Sequence, residues 1–261
     1  MPKFAANLSL MFAEHAFLDR FAAAAAVGFR AVEYLFPYPH PKRELQARLE
    51  AHGLEQVLFN AGQGDWDRGE RGIGGLPGRE TEFRRAIDTA LDYAAALRCP
   101  RLHVMAGLMP AGADPKRCRE VFAENLRWAL GLAAPAGVTL LLEPLNPIDV
   151  PGYLIGSPVA ARSLIDEIAS PHLKLQYDVY HAQMTHGRLI DSFAAHREVV
   201  GHVQIAGVPG RHEPDHRQEI NYPAVFAALD EAGYDGWVGC EYRPRGVTRD
   251  GLAWAARYGI G

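Results

Sequence analysis

The chain has 261 residues, 48% hydrophobic and 22% charged, a profile that excludes fibrous and disordered proteins. Its 27 Lys and Arg residues against 31 Asp and Glu residues give a formal net charge of −4, which argues against a nucleic-acid partner. The three cysteines, Cys99, Cys118 and Cys240, stand too far apart and are too few for a disulfide scaffold. The length itself permits two small domains or one barrel-sized domain.

Short β-rich runs alternate with longer segments whose apolar residues recur at helical spacing, which is the pattern of a repeated strand–helix unit. The predicted strands are residues 4–8, 31–34, 55–59, 102–105, 138–143, 173–178, 202–205 and 237–241. Helices are predicted around residues 17–25, 42–52, 83–94, 122–133 and 161–168. Eight units in 261 residues leave about 33 for each, so we expect one α/β domain over residues 1–261, a (β/α)8 TIM barrel.

The sequence shows no apolar run near the roughly 18 residues that cross a bilayer, and its first residues lack the features of a signal peptide. We therefore expect a cytoplasmic protein with reduced cysteines and no membrane partner.

Carboxylates stand at the ends of three predicted strands, where a βα barrel carries its active site. Glu143 and Glu241 each end an apolar strand, and Asp178 ends a strand whose alternation places Gln176 and Asp178 on the inner face. The same alternation turns Gln204 inward on the next strand. For each residue alone, a separate structural hydrogen bond explains the position as well as a site does. The four together favour one site.

Three carboxylates that converge in a partly buried site repel one another unless a cation lies between them. All four side chains offer oxygen, which suits Mg²⁺, or Mn²⁺ as the alternative, better than zinc. Glu143, Asp178, Gln204 and Glu241 are therefore the predicted metal ligands.

The same residues lie in stretches that resemble the hydroxypyruvate isomerase family, which includes the 2-oxo-tetronate isomerases and belongs to the xylose isomerase-like barrels. The matching stretches are Glu143-Pro144-Leu145-Asn146, Gln176-Tyr177-Asp178 with His181, His202-Val203-Gln204-Ile205-Ala206, Pro209-Gly210-Arg211-His212-Glu213-Pro214 and Gly239-Cys240-Glu241-Tyr242. The resemblance covers nearly the whole chain. It implies the same four metal ligands, and it implies that Glu143 and Glu241 are also the catalytic acid–base pair.

By this resemblance the protein is an isomerase of the aldose–ketose type. It would interconvert hydroxypyruvate and tartronate semialdehyde, or a 2-oxo-tetronate and its 3-oxo isomer, through an enediolate. His181 and Arg211 are the candidate substrate-binding residues, Arg211 because a guanidinium can pair with the substrate carboxylate. The competing interpretation of Arg211 is a loop arginine paired with Glu213. A homo-oligomer is expected from the family alone.

Three other functions compete with this one. A metal-dependent ketose 3-epimerase would use the same glutamates in a longer pocket, but its ligand on the seventh strand is usually histidine, where this chain has Gln204. An endonuclease IV-like repair nuclease would need more histidine ligands and a basic surface. A sugar-acid binding protein without catalysis would not need both glutamates. Asn7, Glu33 and His103 are interpreted as structural residues.

Overall fold

A computed structural model, which describes residues 1–261, shows eight parallel strands closed into a barrel in sequential order. The strands are β1 (Lys3–Asn7), β2 (Ala31–Glu33), β3 (Glu55–Ala61), β4 (Arg101–Val104), β5 (Thr139–Leu142), β6 (Leu173–Asp178), β7 (Val200–Ile205) and β8 (Trp237–Cys240). The predicted (β/α)8 barrel is confirmed, since β1 pairs with both β2 and β8. The predicted strand positions hold to within two residues at each end.

Eight helices surround the barrel. They are α1 (Arg20–Ala26), α2 (Lys42–His52), α3 (Glu80–Leu97), α4 (Pro115–Ala133), α5 (Pro158–Ile168), α6 (Val179–Thr185), α7 (Leu189–His196) and α8 (Tyr222–Glu231). Segments of 3₁₀ helix lie at Phe17–Asp19, Trp66–Arg68, Arg197–Val199 and Thr248–Tyr258. None of the helices combines the length and the apolar character needed to cross a membrane. Two helices, α6 and α7, occupy the single connection between β6 and β7, and α6 begins directly where β6 ends.

The main hydrophobic core lies between the strands and the helices. Helix α3 contributes one apolar face to this core. Its buried residues Phe83, Ile87, Ala90 and Ala94 recur at the spacing that lines one side of a helix. From the sheet side, Leu173, Leu175 and Tyr177 of β6 join the same core, as the alternation predicts. Their neighbours Gln176 and Asp178 therefore point to the inside of the barrel.

Inside the barrel a small apolar cluster fills one level, and polar side chains fill the levels nearer the carboxyl ends of the strands. The apolar cluster consists of Ala5, Ala31, Val57, Leu58 and Leu141. The buried polar residues inside the strands include Glu33, His103, Gln176, His202 and Gln204. Each of these buried polar groups would destabilise the folded chain unless it had a hydrogen-bond or ionic partner.

Candidate active site

The carboxyl ends of β5 to β8 carry the four polar side chains predicted as a site. Glu143 follows β5, Asp178 ends β6, Gln204 lies in β7 in register with Asp178, and Glu241 follows β8. None of the four is more than 6% exposed. Three carboxyl groups therefore lie where water cannot offset their mutual repulsion.

Arg211, in the loop after β7, lies between two of these carboxyl groups. Its Nη2 is 2.8 Å from Glu241 Oε2 and 3.5 Å from Asp178 Oδ2, and its Nε lies 3.4 Å from the Glu241 carbonyl oxygen. The guanidinium also lies 4.9 Å from the centre of the Tyr180 ring. Arg211 thus lies at the site, where its partners are carboxylates of the protein, and its binding of substrate stays a prediction.

The alternative pairing of Arg211 with Glu213 is not found. Glu213 accepts hydrogen bonds from the backbone and the guanidinium of Arg245, at 2.9 and 2.8 Å. Arg211 turns the other way because its backbone is left-handed, with φ of 53°, and because the Arg243 N–H donates to its carbonyl oxygen at 2.8 Å. The loops after β7 and β8 therefore hold each other and direct the guanidinium inward.

Burial and like charge raise the pKa of all three carboxyl groups. For Glu143 burial is the largest cause, followed by Glu241 and Asp178, and the pKa lies well above the usual value. Burial also raises the pKa of Glu241, to about 8, against the opposing effect of Arg211. The pKa of Asp178 is raised by burial and lowered in part by Arg211. Arg211 contacts Glu241 and not Glu143, so its charge favours the ionised form of Glu241 most directly.

His181, on α6, presents one defined nitrogen to the site. Its Nδ1 accepts from the backbone N–H of Asn146 at 3.1 Å and faces the Asn146 side-chain nitrogen at 2.8 Å. With Nδ1 accepting, the ring proton is on Nε2. Nε2 lies 3.9 Å from Glu143 Oε1 and 3.7 Å from Asp178 Oδ2. His181 is therefore a hydrogen-bond donor toward the space between the carboxyl groups.

Burial, and then the charge of Arg211, lower the pKa of His181 well below its usual value. We expect His181 to stay neutral, with its proton on Nε2, from about pH 5.5 to about pH 8. Two-dimensional ¹⁵N–¹H spectra of histidine-labelled protein would show this, with the His181→Gln variant identifying the signal. A His181 signal that titrates near its ordinary pKa, or that carries the Nδ1–H pattern, would contradict the assignment.

His103, interpreted from the sequence as a structural residue, lies beside Glu143. Burial lowers its pKa to about 3, so the ring is neutral. Its Nδ1 lies 3.2 Å from Glu143 Oε2, but neither ring nitrogen meets hydrogen-bond geometry with any group. The ring lies against Glu143 and contributes to the burial that raises the pKa of that carboxyl group.

Gln204 is held from both ends of its amide. Its Oε1 accepts from Gln176 Nε2 at 2.6 Å, and its Nε2 donates to Glu33 Oε1 at 2.8 Å. Glu33 also accepts from Asn7 Nδ2 at 3.1 Å, and Asn7 Nδ2 lies 3.4 Å from Glu241 Oε1. Sequence reasoning missed that Asn7 and Glu33 contact site residues. Their positions at the ends of β1 and β2 were the available signal.

One group of side chains has the spacing of a metal site. Ligand atoms of Glu143, Asp178 and His181 lie within 4.8 Å of one another. Since Nδ1 of His181 faces Asn146 and its Nε2 carries the ring proton, the carboxylates are the better metal ligands. Asp178 Oδ1 caps α6 by accepting from the Tyr180 N–H at 2.7 Å, whereas Oδ2 is buried and has no hydrogen bond. A cation is a suitable partner for that oxygen.

Comparison with known proteins supports an isomerase. Residues 21–258 match the family model described as xylose isomerase-like TIM barrel. A 2-oxo-tetronate isomerase from Cupriavidus necator is 55% identical over 258 residues, which are 99% of both chains. The hydroxypyruvate isomerase of Escherichia coli is 42% identical over 99% of this chain and 100% of its own.

Solved structures agree on the fold. A crystal structure described as AP endonuclease, family 2, from Brucella melitensis is 50% identical, with a TM-score of 0.97 over 99% of each chain. A 3-keto-D-glucoside 4-epimerase from E. coli is 23% identical, with a TM-score of 0.80 over 98% of this chain and 99% of its own. At that identity the second comparison concerns the barrel alone.

Proposed function

The chain belongs to the xylose isomerase-like TIM barrel family and is an isomerase, and from that premise we propose that its substrate is a small 2-oxo acid with a hydroxyl group on C3. The substrate is either a 2-oxo-tetronate, which has four carbons, or hydroxypyruvate, which has three. The four-carbon acid is favoured because the relatives named for it are 46–55% identical, against 42% for the hydroxypyruvate isomerase of E. coli. One observation carries the proposal. Glu143 and Glu241 are both buried, and Arg211 contacts only Glu241.

The reaction moves a hydrogen from C3 to C2 through an enediolate. Glu241, the glutamate that Arg211 contacts, takes the proton from C3, and the C2 carbonyl becomes an enediolate oxygen. Glu143, which keeps its proton, delivers it to C2. The hydroxyl proton passes from the oxygen on C3 to the oxygen on C2, so the C3 carbonyl forms as the C2 hydroxyl appears. After turnover the two glutamates have exchanged protonation states, and proton exchange with solvent restores them.

Two other side chains bind and stabilise the substrate in this proposal. The Nε2–H of His181 donates to the oxygen that becomes negative, which is the role of a donor fixed before the reaction begins. Arg211 uses Nε and Nη2 on Glu241 and Asp178, whereas its Nη1 makes no hydrogen bond within the protein. That nitrogen is the group proposed to bind the substrate carboxylate.

The carboxyl groups also fit a divalent cation, Mg²⁺ or Mn²⁺, held by Glu143, Asp178, Gln204 and Glu241. The fit rests on Asp178 Oδ2, which makes no hydrogen bond, and on three buried carboxyl groups of which a single guanidinium contacts only two. When bound, such an ion would bind substrate oxygens and stabilise negative charge on them.

Metal binding should be linked to pH. Because the folded-state pKa values of Glu143, Asp178 and Glu241 are raised, the ion-free folded chain binds more protons than the unfolded chain. Its stability therefore falls as pH rises from about 4.5 through about 8, the pKa of Glu241. An ion that replaces those protons should raise Tm more at about pH 8 than at about pH 6. Thermal unfolding with and without Mn²⁺ measures this, and a shift that shrinks as pH rises would contradict it.

A substrate panel tests the proposed function. Purified enzyme is assayed with D- and L-forms of a 2-oxo-tetronate, with hydroxypyruvate and with ketohexoses, and the change from 2-oxo to 3-oxo acid is followed by NMR. Turnover of the acids without turnover of the sugars is expected. Epimerised ketohexoses would favour the 3-epimerase, and cleavage of abasic duplex DNA would favour the nuclease. Acid binding without conversion would indicate a binding protein.

A further inference from the structure

Glu33 lies beneath the site, inside the barrel, and three side-chain nitrogens converge on it. His202 Nε2 is 2.7 Å from Oε2, and Gln204 Nε2 and Asn7 Nδ2 are 2.8 and 3.1 Å from Oε1. The Glu33 side chain is 1% exposed, so bulk water does not compete with these contacts. A carboxylate at this position only accepts, and each neighbour must turn a nitrogen toward it.

The eighth strand is shaped to leave room for this carboxylate. Gly239 lies beside Glu33, and a Cβ built on it would come 2.4 Å from both carboxylate oxygens. Any side chain there would displace Glu33 from the barrel interior. Gly239 is also in register with Gln204, so the free space lies directly beside the residue that Glu33 contacts.

The Gln204 amide could otherwise sit in either of two orientations, because its oxygen and nitrogen have nearly the same shape. Glu33 selects one of them by accepting from the nitrogen. The oxygen is then left on the side of β6, where it accepts from Gln176 two residues before Asp178. In the flipped orientation an N–H₂ group would occupy that side and would oppose a cation.

We propose that Glu33 is a positioning residue that fixes the Gln204 amide so that its oxygen, which accepts from Gln176 with one lone pair, keeps the other for a divalent cation. The inference rests on the proposed metal site, and it concerns a residue that contacts neither the cation nor the substrate. An imidazole ligand has no equivalent amide to flip. An amide ligand needs a partner that accepts and never donates, and Glu33 is that partner here.

The test measures Mn²⁺ affinity of the free enzyme, by electron paramagnetic resonance, in two backgrounds. In the unaltered background, Glu33→Gln offers Gln204 both an acceptor and a donor, so the amide can flip. We expect Mn²⁺ to bind about tenfold or more weakly, as is common when a partner of a ligand is altered. In a Gln204→Glu background, both terminal atoms of the side chain at position 204 are oxygen. There the same Glu33→Gln change should alter the affinity by less than about threefold.

Two further variants separate orientation from charge and from damage to the fold. Glu55→Gln removes one charge at the amino end of β3, where Glu55 bonds to Trp237 Nε1 at 3.3 Å, and should leave Mn²⁺ affinity unchanged. Gly239→Ala keeps every charge but displaces the Glu33 carboxylate, and should weaken Mn²⁺ binding as Glu33→Gln does. Circular dichroism and thermal unfolding confirm that each variant is folded. High Mn²⁺ should restore the activity of Glu33→Gln.

The outcomes are distinct. Equal loss of affinity in both backgrounds would mean that Glu33 acts through its charge, and would overturn the inference. Unchanged affinity after Glu33→Gln would overturn it as well, while leaving the metal site in place. If the unaltered enzyme itself binds no Mn²⁺, the proposed metal site fails and the inference fails with it. That result is seen before any substitution is made.

Discussion

Replacement of Glu241 with Gln is expected to lower kcat for isomerisation by about 10²–10⁴-fold, the usual contribution of a positioned acid or base. The amide retains the size of the side chain and accepts from Arg211 Nη2, which lies 2.8 Å from the native Oε2, so folding should be normal. It cannot take the proton from C3. The measurement is kcat under saturating substrate, together with exchange of the C3 hydrogen into D₂O.

Glu143→Gln supplies the matched comparison on the other side of the site. It should lower kcat to a similar extent, because no side chain would deliver the proton to C2. If Glu241 is the base, however, exchange of the C3 hydrogen with solvent should persist in Glu143→Gln and disappear in Glu241→Gln. Near-normal turnover in both folded variants would rule out the two-glutamate mechanism, and the reverse exchange pattern would interchange the two roles.

Arg211→Met should lower kcat/KM by about 10²–10³-fold, since it breaks a largely buried charge pair and removes the proposed substrate clamp. Most of this loss should appear as a higher KM for the acid substrate. Without the guanidinium, the pKa of Glu241 should rise further above about 8, because Arg211 is the main influence that lowers it. The rising limb of the pH–rate profile should therefore move to higher pH.

Arg211→Lys retains the positive charge but has one side-chain nitrogen in place of three. Its kcat/KM should therefore lie between those of the unaltered enzyme and Arg211→Met. Arg243→Met is the control, because Arg243 is an exposed arginine in the neighbouring loop after β8. It should change kcat/KM by less than about threefold. A KM for the acid that is unaffected by Arg211→Met would remove Arg211 from substrate binding.

The sequence predicts the barrel and the strand ends well, and the reason is physical. Strand alternation has a fixed period, so the apolar residues Leu173, Leu175 and Tyr177 set which face of β6 meets the helices. Once that face is known, Asp178 must point inward. Glu143 and Glu241 follow short buried strands directly, and the closed barrel then brings them to the same end.

Contacts between distant residues could not be predicted in the same way. Glu33 and His202 are separated by 169 positions, and their 2.7 Å contact depends on the space left by Gly239. The direction of Arg211 depends on a left-handed backbone and a hydrogen bond from the next loop, neither of which has a periodic signal. Glu213, two positions away in the sequence, is the competing partner, but it pairs with Arg245 instead.

Asp178 connects the chemistry of the site to the order of a helix. One of its oxygens caps α6 and the other faces the carboxyl groups, while α6 carries both Tyr180 and His181. Protonation of this one side chain weakens the cap at the same time as it changes the charge of the site. A ligand that keeps Asp178 ionised should therefore slow amide hydrogen exchange in the first turn of α6. Occupancy of the site could then be followed from the backbone of a seven-residue helix, without observing the substrate.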